Sequence, residues 1–239
     1  MLIRKEESVP KKAGERHTVW EYEFPYKDLG FATAYMDGRY PEQNQIVNSK
    51  CDEVYFVLDG NAHVSYGGKE SGLEQGDLFF FEKGNPCSVD ARNMTLILVT
   101  APAWFPEQSK LESSPGNFLP GKSQNLVKKS NAVEIKNGPN CTVHEHYFPS
   151  KDLGFATADM EGRYPDKGFA TNTACSQIYY VLEGQAKVHY EGKEYPMKAG
   201  DAFFFEKGKP YSLECRGLKV AVANAPAWYA DQYKIVPEE

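Results

Sequence analysis

The residues best suited to chemistry occur in matching pairs, one in each half of the chain. Cys51 and Glu53 in the first half correspond to Cys175 and Gln177 in the second, at a constant offset of 124 residues. Residues two apart in a strand point to the same side of a sheet, so we expect Cys51 and Glu53 to share one face. A carboxyl group in an apolar interior without a cation has a raised pKa and can act as a general acid or base. Glu53 is therefore the candidate catalytic residue.

The same faces are candidates for binding a small molecule. Phenol rings offer flat walls and hydroxyls, and amide groups bond to ligand hydroxyls or carboxylates. The candidate ligand-binding residues are Asn48, Cys51, Glu53, Tyr55, Cys87, Asn172, Cys175, Gln177, Tyr179 and Tyr211. The alternative is that they are ordinary core residues. We favour it for the tyrosines and for Cys51 and Cys175, because free Cys is often buried; Cys87 differs from them in that its counterpart is Tyr211.

The constant offset extends over most of the chain. KDLGFATA, GRYP, FFFEKG and APAW each occur twice, and no gap is needed between residues 17 and 110. A period of this length indicates a duplicated domain and excludes a solenoid unit. We predict domains over 1–110 and 125–239, joined by a Pro-, Gly- and Ser-rich linker over 111–124.

Each half is expected to consist of β-strands. Val54–Leu58 is a short apolar run, and the Asp59-Gly60 pair that follows predicts a two-residue hairpin turn. Residues 61–66 alternate, and Gly67-Gly68 predicts another turn. Short strands with turns about every eight residues are typical of an all-β sandwich or barrel. The helix expected in each half is a turn or two after Pro102 and Pro226.

Two pairs of motifs resemble a known family. The strings EVYFVLDG and GDLFFFEKGNPC in the first half, and QIYYVLEG and GDAFFFEKGKPY in the second, resemble the two cupin motifs. The chain is thus similar to a bicupin. The resemblance implies an all-β fold of two tandem jelly-roll barrels, each a double-stranded β-helix with a pocket between its sheets.

The metal ligands of the cupin pattern are mostly replaced. Cupin sites take two His and one Glu from the first motif and one His from the second. No His lies at 46–49 or 170–173, where the first-motif His residues would fall. The position of the motif Glu holds Glu53 in the first half and Gln177 in the second. The position of the second-motif His holds Cys87 and Tyr211. A tightly held first-row metal needs three or four N, O or S donors. We predict no metal and no cofactor in either barrel; a metal held through Glu53 and Cys87 is the open alternative.

Composition excludes several classes of function. A net charge of −6 argues against a nucleic-acid partner, and no apolar run approaches the roughly 20 residues that span a membrane. The first residues lack the apolar segment of a secretory signal, and five cysteines form no disulfide framework, so a cytoplasmic location is expected. The expected partner is a small-molecule ligand, and a homo-oligomer is a further expectation.

Three functions remain after these exclusions. The leading hypothesis is binding of a small polar organic molecule, a sugar or an organic acid, in one or both barrels, with any catalysis undecided. The alternative is a sugar isomerase or epimerase, or a metal-dependent cupin enzyme, that acts through the N-terminal barrel. The third is a structural or storage scaffold. A fold of this kind does not choose among them.

Overall fold

The structure is a computed structural model that describes residues 1–113 and 124–238. They form two compact units. One, here called the N-terminal barrel, comprises Val9–Asn131 and Phe148–Ser150. The other, the C-terminal barrel, comprises Met1–Ser8, Ala132–Tyr147 and Lys151–Glu239. Within the described ranges, no helix has the length and apolar character needed to cross a membrane.

Both units are built from strands, which confirms the all-β prediction. The first ten strands are β1 (Leu2–Ile3), β2 (Val9–Gly14), β3 (His17–Glu21), β4 (Gly30–Tyr40), β5 (Gln45–Asn48), β6 (Asp52–Tyr66), β7 (Lys69–Leu73), β8 (Leu78–Phe81), β9 (Pro86–Ala101) and β10 (Ser109–Glu112). The second ten are β11 (Leu126–Val127), β12 (Val133–Lys136), β13 (Cys141–Glu145), β14 (Gly154–Tyr164), β15 (Phe169–Asn172), β16 (Ser176–Tyr190), β17 (Lys193–Lys198), β18 (Ala202–Phe205), β19 (Tyr211–Ala225) and β20 (Tyr233–Val236). The described helices are single 3₁₀ turns at Lys5–Glu7, Pro106–Gln108, Lys129–Asn131 and Ala230–Gln232.

The two units have the same antiparallel topology. In the N-terminal barrel the strands pair in the order β11, β8, β6, β9, β4, β3, β2, with β7 beside β6 and β5 joined to both β9 and β10. In the C-terminal barrel the order is β1, β18, β16, β19, β14, β13, β12, with β17 beside β16 and β15 joined to both β19 and β20. The central strands β6 and β16 are therefore paired on both sides, and residues on their inner face are buried.

The units differ from the predicted sequence intervals 1–110 and 125–239 at their ends. Strand β1 pairs with β18 of the C-terminal barrel, and β11 pairs with β8 of the N-terminal barrel. Residues 114–123, most of the predicted linker over 111–124, lie outside the described residues.

Buried aspartates hold these two short segments in place. Asp77 Oδ1 accepts the backbone N–H of Lys129 at 2.9 Å, and Asp201 Oδ1 accepts that of Lys5 at 3.1 Å. The same contact thus occurs in both copies, and it explains why an aspartate recurs at these positions.

The prediction of a hairpin turn at Asp59-Gly60 is wrong. Strand β6 continues through both residues, and its register with β9 shifts on either side of Asp59. Gly60 has a φ of +76°, and a Cβ there would collide with the carbonyl oxygen of Asn93. Gly60 is thus a glycine of a β-bulge, which needs positive φ and close backbone approach as a tight turn does. The turn predicted at Gly67-Gly68 is present between β6 and β7.

Candidate functional site

Glu53 lies in the interior of the N-terminal barrel. It is on β6, opposite Phe81 of β8 and Thr100 of β9, and it is 7% exposed. Strands pair with both edges of β6, so its backbone hydrogen bonds are satisfied within the sheet, and the low exposure of Glu53 shows that its side chain is enclosed. The structure thus places the Glu53 carboxyl in the interior of the barrel.

Asn48 holds the Glu53 carboxylate. Its Nδ2 donates to Glu53 Oε2 at 3.0 Å. The amide oxygen of Asn48 accepts from Ser109 Oγ at 2.5 Å and from Trp104 Nε1 at 3.3 Å. Because two donors occupy the oxygen, the amide nitrogen is oriented toward Glu53.

The surroundings make Glu53 a weak acid. Burial raises the pKa of Glu53 to about 7, and the hydrogen bond from Asn48 opposes this rise only in part. Four neighbouring groups have a raised pKa, mainly because they are buried and in addition because the negative charge of Glu53 is close to them. These groups are Tyr40, Cys51, Tyr55 and Cys87. They surround Glu53 with neutral hydroxyl and thiol groups at neutral pH, and within the described residues no basic side chain contributes to its pKa.

The remaining N-terminal candidates, Tyr55, Cys87 and Cys51, lie near this carboxyl but make different contacts. Tyr55 is buried and packs edge-on against Phe81, with ring centroids 4.9 Å apart. Cys87 is buried on β9, opposite Ile46. Cys51 Sγ accepts from the side-chain amide of Gln108 at 3.2 Å, and its backbone N–H donates to the oxygen of that amide at 2.9 Å. Cys51 is therefore tied to the 3₁₀ turn before β10.

Gln177 forms a closed hydrogen-bond network at the equivalent position of the C-terminal barrel. Its amide oxygen accepts from Asn172 Nδ2 at 2.7 Å and from the Tyr211 hydroxyl at 3.2 Å. Its amide nitrogen donates to Asn224 Oδ1 at 2.6 Å. Trp228 Nε1 orients Asn172 at 2.9 Å, as Trp104 orients Asn48. The polar atoms of this cluster thus bind one another.

Phenol rings fill the space beside this network. The hydroxyl of Tyr179 lies 3.1 Å from that of Tyr211, and the Tyr211 ring lies 4.3 Å from the ring of Phe205, centroid to centroid. Burial is the main cause of the raised pKa of both tyrosines, so both remain neutral phenols. Cys175 donates its backbone N–H to Gln232 at 2.8 Å, repeating the arrangement at Cys51.

Neither barrel fits the metal that the resemblance implies. The N-terminal barrel offers one carboxylate and the Cys87 thiol, while the Asn48 nitrogen already donates to Glu53. The C-terminal barrel offers neutral amides and phenols that bond to one another. In the part of the chain that the structure describes, no three His, Cys, Asp or Glu side chains are placed to hold a metal ion. A first-row ion needs more donors than either set supplies.

Several contacts were missed by the sequence analysis. The missed residues are Tyr40, Thr100, Trp104, Gln108 and Ser109, with Tyr164, Asn224, Trp228, Gln232 and Tyr233 in the second copy. For three pairs the sequence held a signal, because Tyr40, Trp104 and Gln108 recur as Tyr164, Trp228 and Gln232 at the same offset. Such recurrence alone does not distinguish a residue that orients the site from one that packs the core.

Comparisons with known proteins agree with this architecture. The EutQ-like cupin domain matches residues 40–95, and the cupin domain matches residues 168–223. Among solved structures, an oxalate decarboxylase formate complex from Lactobacillus farciminis superposes with a TM-score of 0.79 and 16% identity, over 99% of this chain and 88% of that one. A point mutant of the Bacillus subtilis oxalate decarboxylase superposes with a TM-score of 0.76 and 14% identity, over 99% of this chain and 79% of that one.

A curated relative matches a shorter stretch. The oxalate-binding protein of Thermotoga maritima is 44% identical over 41 residues, which are 17% of this chain and 34% of the relative. The structural matches cover both barrels at once, and a cupin family model matches in each half. The two tandem barrels predicted from the repeated motifs are thereby confirmed, and the chain belongs to the cupin superfamily as a bicupin.

Proposed function

We propose that the N-terminal barrel binds a small organic acid beside Glu53, without a metal ion. The observation that carries the proposal is the buried Glu53 carboxyl, which has one oriented amide partner and is surrounded by neutral hydroxyl and thiol groups. A protonated carboxyl donates one hydrogen bond and still accepts others, which suits it to pair with a ligand carboxylate.

Electrostatics define the form in which the acid binds. Two carboxylates in a buried site repel each other strongly, and one of them then holds a proton. Because the pKa of Glu53 is already raised to about 7, its proton is available near neutral pH. Tyr55 and Cys87, both neutral, can complete the contacts of the ligand.

The names of similar proteins support the choice of an acid over a sugar. The curated relative is named for oxalate binding, and the solved structures include an oxalate decarboxylase with formate. Those ligands belong to those proteins. They give small mono- and dicarboxylates as the first class to test here.

Isothermal titration calorimetry tests the proposal. The whole protein, dialysed against a chelator, is titrated at pH 6 with oxalate, with formate and, for comparison, with glucose. We expect an acid to bind. E53A should weaken that binding about tenfold or more, since a hydrogen bond to a charged group contributes about 1.5–3 kcal/mol.

A matched control separates the site from general effects of losing a carboxyl. Glu145 in the C-terminal barrel is partly buried, and burial raises its pKa to about 7 as well. E145A should bind the acid as the unaltered protein does. Binding of glucose alone, or equal loss in E53A and E145A, would contradict the proposal.

A further inference from the structure

Tyr211 fills the interior of the C-terminal barrel next to Gln177, and the partly buried Tyr233 packs against the same interior. Tyr211 is 2% exposed, and its hydroxyl lies within hydrogen-bond distance of both Gln177 and Tyr179. Tyr233 packs against the same apolar cluster, and its hydroxyl lies 3.3 Å from that of Tyr164. The place where a ligand would meet Gln177 is thus taken by side chains of the protein itself.

Cys87 and Ser109 occupy the equivalent positions in the N-terminal barrel. The register is the same, since Cys87 lies opposite Ile46 as Tyr211 lies opposite Ala170. Both substitutions remove a whole phenol ring. At the third pair the N-terminal barrel has the larger side chain, Ile46 in place of Ala170, but the difference is only a few carbon atoms. Over the three pairs, the side chains of the N-terminal barrel therefore have the smaller total volume.

We infer that the N-terminal barrel alone takes up a ligand, and that the side chain at the Cys87 and Tyr211 positions determines which barrel is open. This inference rests on the proposed acid-binding function and adds to it a stoichiometry and a specificity-determining position. The C-terminal candidates Asn172, Cys175, Gln177, Tyr179 and Tyr211 are then structural.

The stoichiometry of the unaltered protein is the first test. Calorimetry with oxalate or formate, whichever binds, should give one molecule per chain. Two molecules per chain would overturn the inference and leave the proposed function standing. Absence of binding by every acid tested would instead reject the proposed function.

The second test copies the closed barrel into the open one. I46A/C87Y reproduces the Ala170 and Tyr211 pair at equivalent positions, so the new ring has the space that it has in the C-terminal barrel. We expect acid binding to weaken at least tenfold, while the melting temperature changes little. I46A alone, which keeps the small side chain of Cys87, should retain binding. Unchanged affinity in I46A/C87Y would overturn the inference.

The reciprocal variant gives a result that a folding defect cannot imitate. Q177E/Y211C places the N-terminal pair in the C-terminal barrel, and we expect a second acid to bind. If this variant unfolds, the stoichiometry of the unaltered protein still decides the inference. If it folds with the cooperative melting of the unaltered protein and binds only one acid, the Tyr211 position does not by itself determine access.

Discussion

Asn48 donates its side-chain amide to Glu53 at 3.0 Å, which gives a buried carboxyl a neutral partner. The equivalent bond from Asn172 to Gln177 is 2.7 Å, and there both partners are uncharged. The barrels therefore share the geometry of this contact and differ in whether it contains a titratable group. In the N-terminal barrel a change of pH changes the charge of the site.

The affinity for an acid should depend on pH through Glu53. Below pH 7 this carboxyl is protonated and donates to the ligand; above pH 7 it must take up a proton on binding, so the affinity should fall about tenfold per pH unit. Calorimetry between pH 6 and 9 measures this dependence. E53Q, which mimics the protonated carboxyl, should show a nearly constant affinity.

E145Q is the control for this dependence. The Glu145 carboxyl of the unaltered protein has a pKa raised to about 7, like that of Glu53, but it lies in the other barrel. It should keep the pH dependence of the unaltered protein. An affinity of the unaltered protein that is constant from pH 6 to 9 would contradict a role for the Glu53 proton.

Glu53 should also make the stability of the fold depend on pH. The pKa of Glu53 is raised from its ordinary value of 4.5, which applies to the unfolded chain, to about 7 in the folded chain. The folded chain therefore holds this proton more tightly than the unfolded chain does. The contribution favours folding below pH 4.5 and is lost as the pH rises to 7, at a cost of about 3 kcal/mol. Denaturant unfolding at pH 5 and pH 8 measures it. E53Q should remove this part of the difference, and an equal difference in E53Q would show that other groups cause it.

The sequence predicted the strand environment of Glu53 well. Glu53 and Tyr55 lie on one strand, β6, and alternation along an extended chain places residues two apart on the same side; Cys51 precedes this strand. The orientation of Asn48 could not be predicted, because Trp104 and Ser109 determine it and they approach only in the folded barrel. Contacts between distant segments depend on packing that one strand does not specify.

The difference between the barrels was visible in the residues but its consequence was not. Cys87 and Tyr211 were known to be equivalent, yet residues of both barrels were predicted as ligand-binding. Only the structure shows that the Tyr211 hydroxyl bonds to Gln177 and Tyr179. Likewise Asp59-Gly60 suits both a tight turn and a bulge, since each needs a residue with positive φ, and the neighbouring strand decides between them.

Removal of metal ions should leave the protein unchanged. In neither barrel does the donor set of the described residues match a first-row metal, so neither stability nor acid binding should depend on one. Dialysis against a strong chelator, followed by calorimetric melting and titration with oxalate or formate, checks this. A drop in melting temperature or a loss of binding that added manganese or zinc restores would contradict it.

Gln108 and Gln232 should stabilise their barrels equally. Gln108 accepts the backbone N–H groups of Lys50 and Cys51 at 3.0 and 2.9 Å, and Gln232 accepts those of Ala174 and Cys175 at 3.1 and 2.8 Å. Alanine at either position leaves two N–H groups without an acceptor, and each buried one costs about 1–3 kcal/mol. We expect Q108A and Q232A to lower the free energy of unfolding by similar amounts, measured by denaturant unfolding.

Acid binding distinguishes the two glutamine variants where stability does not. Q108A removes the contact that holds Cys51 and the start of β6, two residues before Glu53, so it should weaken oxalate or formate binding. Q232A makes the same change in the barrel that we infer to be closed, and its affinity should equal that of the unaltered protein. A larger loss of affinity in Q232A than in Q108A would place the ligand in the C-terminal barrel, because the two substitutions remove the same pair of backbone hydrogen bonds.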